Sequence, residues 1–168
     1  MSLFPQDIHD QAKQLVADAS EKRLGVTTAE SCTGGLIAAC ITDIPGSSDM
    51  FDRGFVTYSN DAKMAQISVD RKTLADFGAV SAETAIEMAE GALRNSHADI
   101  AVAVTGIAGP TGNTDEKPVG LVYIALVSSK DRNNPVISKH QFDGDRHAIR
   151  LSTVKEALQA LEREIEKS

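Results

Sequence analysis

Up to residue 105 this chain alternates helix-like runs with strand-like ones, and that alternation leaves few folds open to it. Residues 6–22 carry Ile8, Ala12, Leu15, Val16 and Ala19 at spacings of three and four, the period of a helix with one buried face. Gly25 follows as a stop. Residues 26–30 make a short strand, and Thr33-Gly34-Gly35 then opens an apolar helix over 36–41 that ends at Pro45-Gly46. Residues 52–59 alternate as a second strand. Asn60-Asp61 offers an N-cap to a helix over 61–68, and another short helix over 70–77 ends at Gly78. Ser81 caps the next helix, with Glu83 in its positive first turn and Ala85, Met88, Ala89, Ala92 and Leu93 as its buried stripe. Residues 99–105 are apolar without a break from Ile100 to Val104, the mark of a central strand covered on both faces.

Beyond residue 105 the pattern changes. Residues 119–128 and 136–142 read as two strands, and the turn between them holds Asp131, Asn133, Asn134 and Pro135, which fits an antiparallel hairpin. A last helix over 146–167 has the stripe Ala148, Leu151, Val154, Leu158, Leu161 and Ile165. Strands interleaved with helices call for a layered α/β domain, and the late hairpin makes its sheet mixed. With 168 residues, a single domain over 1–168 can bury about 70% of its unfolded surface without disulfide or metal staples. The Gly- and Pro-rich loop 106–118 is long for a compact domain, and loops of that length usually carry function.

Charge narrows the partners. Seventeen Lys and Arg stand against 24 Asp and Glu, a net charge of −7, which argues against a nucleic-acid binder with its basic face. A phosphorylated small molecule needs only a few local donors and stays open. No apolar run approaches the roughly 20 residues of a membrane span, and the first ten residues lack the basic and apolar regions of a signal peptide. Cys32 and Cys40 lie eight residues apart across an apparent helix, about two turns, too far to bridge. Reduced thiols and a cytoplasmic protein are the expectation. His9, His97, His140 and His147 show no metal-ligand spacing.

Three strand-to-helix junctions carry candidate chemistry. In Glu30-Ser31-Cys32-Thr33-Gly34-Gly35 the glycines let backbone N–H groups approach a ligand, and a helix N-terminus favours an anion or an oxyanion. Ser31 sits where a hydroxyl nucleophile is useful; the plainer reading is that Ser31 or Thr33 only caps the helix. Glu30 is a general acid or base, or else it holds a backbone N–H. Cys32 lacks a histidine partner, so a small buried residue is the safer reading. In Tyr58-Ser59-Asn60-Asp61-Ala62-Lys63 the lysine falls in a first helical turn, where the dipole opposes a cation. Burial would depress its pKa further and make it a base for a serine; the alternative is an ordinary solvated lysine. Thr105-Gly106-Ile107-Ala108-Gly109-Pro110-Thr111-Gly112 follows the central strand and suits anion binding better than a hairpin turn. Lys117 and Arg146 can add positive charge there, though each alone reads as a surface residue.

Taken in order, AESCTGGLIAACITDIPGSS, GFVTYSNDAK, FGAVSAETAIEMAEGA, AVAVTGIAGPTG and EKPVGLVYIAL resemble the CinA C-terminal domain family over residues 6–165. The joint occurrence and order of the blocks make the resemblance specific. It implies a three-layer α/β/α sandwich with a mixed, mostly parallel sheet, in a stand-alone form of the domain. It also implies an amidohydrolase that uses no metal or cofactor and converts nicotinamide mononucleotide to nicotinic acid mononucleotide and ammonia in pyridine nucleotide recycling. By motif, Ser31 matches the nucleophile and Tyr58 and Lys63 the catalytic tyrosine and lysine. Glu30, Cys32, Thr33, Gly34, Gly35, Thr105, Gly106, Ala108, Gly109 and Gly112 match ligand-binding segments, and Arg146 a basic position beside them. Asn113 departs from the pattern, standing where many relatives carry glycine. The resemblance further implies a homo-oligomer with a small nucleotide as its partner, and neither nucleic acid nor membrane. The competing class is a nucleotide-binding or regulatory module without turnover.

Overall fold

The computed structural model describes residues 2–168. Five strands form one sheet: β1 (Val26–Glu30), β2 (Phe51–Val56), β3 (Ile100–Gly106), β4 (Leu121–Ser128) and β5 (Val136–Gln141), in the order β2-β1-β3-β4-β5. β1 pairs parallel with both β2 and β3, while β3–β4 and β4–β5 are antiparallel. Four strands therefore run one way and β4 runs against them.

The sheet separates two helical layers. On one face lie α1 (Gln6–Lys22), α2 (Leu36–Thr42) and the long α6 (Arg146–Lys167). They pack on Val26, Ile100, Val102, Val104, Val122, Ile124 and Leu126. The other face carries α3 (Asn60–Ile67), α4 (Arg71–Phe77) and α5 (Ala82–Arg94) over Ala29, Ala101, Ala103, Ala125 and Val127. Alternate residues of β3 thus divide between large on one side and alanine on the other, as the two-residue period of a strand requires. The alanine face lets α5 pack closely, with its own Ala85, Ala89 and Ala92 fully buried. Gly91 shows how close the α5 contact with α3 is: a Cβ built there would lie 1.9 Å from the Ile67 carbonyl oxygen.

Element ends differ from expectation where backbone geometry overrides composition. α1 stops at Arg23, which takes the left-handed conformation (φ 56°), and Gly25 instead donates its N–H to Asp99 Oδ2 at 2.8 Å as the chain enters the sheet. β2 ends at Val56, just before the Thr57 N–H makes a last bond to β1 at the Glu30 carbonyl (2.9 Å), and Ser59, rather than Asn60 or Asp61, caps α3 through the Ala62 N–H. Gly120 at φ +92° delays β4 to Leu121. Ser81 caps α5 through the Thr84 N–H, and Asp145 caps α6 through Ala148. No helix of the described residues is long and apolar enough to cross a membrane.

Candidate active site

β1 lies between β2 and β3; α2 leads from β1 to β2 over one face of the sheet, and α3, α4 and α5 lead from β2 to β3 over the other. Such a switch leaves a crevice outside the carboxyl ends of the strands, where ligands bind in open α/β sheets. Here the crevice is a cleft of about 350 Å³ lined by Ser31 and Cys32 after β1, Thr105 to Gly109 at and after β3, Thr111 and Gly112 of the long loop, and Tyr58, Ala79, Val80 and Arg146. The three candidate segments, far apart in the chain, converge on it.

Ser31 is buried at the end of β1, and its N–H is held by the Val104 carbonyl at 3.1 Å. Behind it stands Lys63, the largest of the fully buried side chains, 0% exposed. Its Nζ lies 3.0 Å from Ser31 Oγ and donates to the Thr57 carbonyl at 2.6 Å. No carboxylate pairs with it among the described residues. Burial therefore brings the ammonium down to about 8, with the neighbouring Cys32 pulling slightly the other way. A solvated lysine, the plainer of the two readings, is not what the fold makes of Lys63.

The other candidates divide by role. Glu30 is wholly buried beneath the cleft, and its carboxylate accepts from Thr33 Oγ1 (2.8 Å) and from the N–H groups of Ile37 (2.7 Å) and Ala38 (3.2 Å). Burial raises its pKa, and those three donors oppose the rise. Glu30 and Thr33 thus build the turn into α2 from below, and that turn places Gly34 and Gly35 at positive φ (59° and 98°). The N–H groups of Cys32, Thr33 and Gly35 have no backbone carbonyl partner among the described residues. Burial pushes the Cys32 thiol up to about 11, which leaves it protonated and inert at neutral pH. Both cysteines are free and buried.

Tyr58 stands at the mouth, 61% exposed, and its hydroxyl accepts from Arg146 Nη2 at 3.1 Å. Arg146 Nη1 donates to the Gly109 carbonyl at 2.8 Å, so this side chain ties the α3 approach to the long loop. Lys117 does not face the cleft; it caps the end of α4 through the Phe77 carbonyl at 2.6 Å. Arg150, Ala79 and Val80 escaped sequence reading. Arg150 donates from Nε to the Cys32 carbonyl (3.2 Å) and from Nη2 to the Thr33 carbonyl (2.9 Å), pinning the turn that follows Ser31. Its signal was the spacing of four from Arg146, which puts both on one face of α6. The Ala79 carbonyl receives the Thr105 hydroxyl at 2.7 Å, and nothing in its residue type or in that of Val80 marks them. Among the described residues no three His, Cys, Asp or Glu side chains gather as a metal site.

A family profile described as the CinA C-terminal domain matches residues 8–165. The chain belongs to that family. It is 48% identical over 161 residues to the nicotinamide-nucleotide amidohydrolase PncC of Enterobacter agglomerans, a match covering 96% of this chain and 97% of that protein. It is 52% identical over 145 residues to a protein named for competence-damage induction in Caldicellulosiruptor saccharolyticus, where the match covers 86% of this chain but 34% of the relative. The chain thus spans about a third of the length of such relatives. The crystal structure of the competence/damage inducible protein CihA from Agrobacterium tumefaciens superposes with a TM-score of 0.94 at 52% identity, covering 97% of this chain and 98% of that one. The α/β/α family fold is therefore the fold of this protein.

Proposed function

We propose that the chain is a nicotinamide-nucleotide amidohydrolase that converts nicotinamide mononucleotide to nicotinic acid mononucleotide and ammonia, with Ser31 as nucleophile and Lys63 as base. The observation that carries the reading is the buried 3.0 Å contact between Lys63 Nζ and Ser31 Oγ at the floor of the cleft. A lysine without a carboxylate partner, desolvated to a pKa of about 8, supplies a useful neutral fraction at physiological pH. The identity with the Enterobacter amidohydrolase supplies the substrate class.

The steps follow from the residues present. Neutral Lys63 takes the Ser31 proton directly, with no relay through Tyr58, as Oγ bonds to the carboxamide carbon and the carbonyl electrons move to oxygen. The Cys32 N–H, which has no backbone carbonyl partner and belongs to a residue lining the cleft, is the donor we assign to the developing oxyanion; one such donor commonly contributes about 3 kcal/mol. The C–N bond then breaks, and the Lys63 ammonium gives its proton to the departing amine, releasing ammonia. Water attacks the ester, Lys63 takes its proton, and Ser31 Oγ leaves with that proton. Tyr58, Thr105 and the loop to Gly112 bound the space for the substrate ring and sugar, and the product serves pyridine nucleotide recycling.

The test is ammonia release from nicotinamide mononucleotide by wild type and Ser31→Ala side by side, with EDTA present. Wild-type turnover lost in the variant is the expected result. Equal turnover by the two overturns the serine mechanism, and a folded wild type that binds the nucleotide without releasing ammonia supports the binding-module reading.

A further inference from the structure

The turn that follows Ser31 is held by two opposite charges. The buried Glu30 carboxylate accepts from Thr33 Oγ1 and from the N–H groups of Ile37 and Ala38. Arg150, reaching over from α6, donates to the Cys32 carbonyl at 3.2 Å and to the Thr33 carbonyl at 2.9 Å. The carboxylate thus takes the donors and the guanidinium takes the acceptors. Burial raises the Glu30 pKa, and the Arg150 charge, acting through space, is among the influences that lower it. Glu30 is the neighbour of Ser31 in the chain, and a carboxylate so placed opposes a second negative charge forming at the serine. Arg150 is the cation that answers it.

The hydrogen bonds of the turn form one continuous chain. Arg150 Nη2 donates to the Thr33 carbonyl; the N–H of that same peptide group belongs to Gly34, and it donates to the Ser31 carbonyl at 3.1 Å. The N–H of the Ser31–Cys32 peptide group is that of Cys32, the donor without a backbone carbonyl partner at the cleft. Each peptide group here accepts at oxygen and donates at nitrogen, so each polarises the next, and a low-dielectric interior strengthens the effect. One end of the chain is a guanidinium and the free end is the Cys32 N–H. Arg150 Nε fixes the remaining peptide group, Cys32–Thr33, by its carbonyl. We propose that Arg150 is a positioning residue for the reaction: through the Thr33–Gly34 and Ser31–Cys32 peptide groups it holds the Cys32 N–H in place and strengthens it as a donor to the oxyanion formed when Ser31 adds to the carboxamide. The inference rests on the serine amidohydrolase reading above. Arg150 acts through the backbone alone.

Arg150→Gln leaves a neutral donor at this position, and Arg150→Lys leaves a charge. With nicotinamide mononucleotide, Arg150→Gln is expected to lower kcat by about 10–100-fold with KM near the wild-type value, the mark of an interaction made only in the transition state. Arg150→Lys should recover part of kcat. Both variants should keep the rise of rate with pH where wild type has it, because Lys63 sets that limb and owes its lowered pKa to burial. An unchanged kcat in Arg150→Gln overturns the proposal, as does a loss confined to KM. A lysine variant no faster than the glutamine variant overturns it too, and a displaced pH limb in either means that the whole site was disturbed rather than one donor. The amide proton shifts of Cys32 and Gly34 in isotope-labelled protein need no substrate. Both are expected upfield in Arg150→Gln and part-way back in Arg150→Lys, with the amides of α5 unmoved as the sign of an intact fold. If wild type releases no ammonia, the amidohydrolase reading falls, and these shifts alone decide whether the chain of peptide groups exists. If wild type turns over and the two shifts do not move, the chain falls and the amidohydrolase reading stands.

Discussion

Lys63→Met should separate the cost of the buried lysine from its use. The folded protein holds this group at about 8 against an ordinary 10.5. At about 1.36 kcal/mol per unit, keeping the ammonium buried at pH 7 costs the fold about 3 kcal/mol. Methionine keeps the unbranched shape and removes the charge, which recovers that amount. It also strips the Thr57 carbonyl of its donor, a loss of about 1–3 kcal/mol. The variant is therefore expected to be about 1 kcal/mol more stable than wild type at pH 7. The sign of the pH dependence is fixed independently. Between pH 8 and 10.5 the unfolded wild type keeps a proton that the folded one has lost, so wild-type stability gains with pH across that window while the variant lacks this term. Urea unfolding at pH 7 and pH 10 should show the gap moving by about 2–3 kcal/mol in favour of wild type. A gap that is the same at both pH values would refute a buried ammonium as the cause. Turnover of the variant should fall by about 10²–10⁴, the ordinary worth of a general base.

Three further outcomes follow from the same geometry. The kcat/KM of wild type should rise with pH and level off above about 8, because only neutral Lys63 accepts the serine proton; Tyr58→Phe should lower the rate but keep that limb, and its disappearance would place Tyr58 in the proton path. Cys32, pushed up to about 11, should resist iodoacetamide at pH 7 in the native protein and react once unfolded, as mass spectrometry of the labelled peptide would show. Gly91→Ala should destabilise by about 1–3 kcal/mol or more, since its new carbon meets backbone rather than a side chain that can move; thermal unfolding would read this as a lower Tm, and an unchanged Tm would mean that α3 and α5 slide apart freely.

Much of the site was legible because its signals are local. Glycines before α2, a serine after a buried strand, and a lysine at the start of a helix mark candidate chemistry by residue type and neighbour alone. Their meaning was not. Glu30 read equally well as an acid, a base or an anchor, and three donors from its own turn make it an anchor. Arg150 looked like any polar residue on the long helix until the packing of α6 brought it to the Cys32 and Thr33 carbonyls, more than a hundred residues away.

The alternation of periods in the sequence determined the layers, because a helix period and a strand period each dictate which face is buried without reference to the rest of the chain. The turn residues likewise determined the hairpin, and Gly78 and Ser81 the helix ends they cap, whereas the caps of α1, α3 and α6 fell to Arg23, Ser59 and Asp145. Tertiary structure alone decided that β1 would lie between β2 and β3, and with it the convergence of Ser31 and Lys63, 32 residues apart, with the lysine fully buried behind the cleft. Desolvation belongs to everything packed around a group, and no window of sequence contains it; that is why the serine and the lysine could be found by reading and their pairing only by folding.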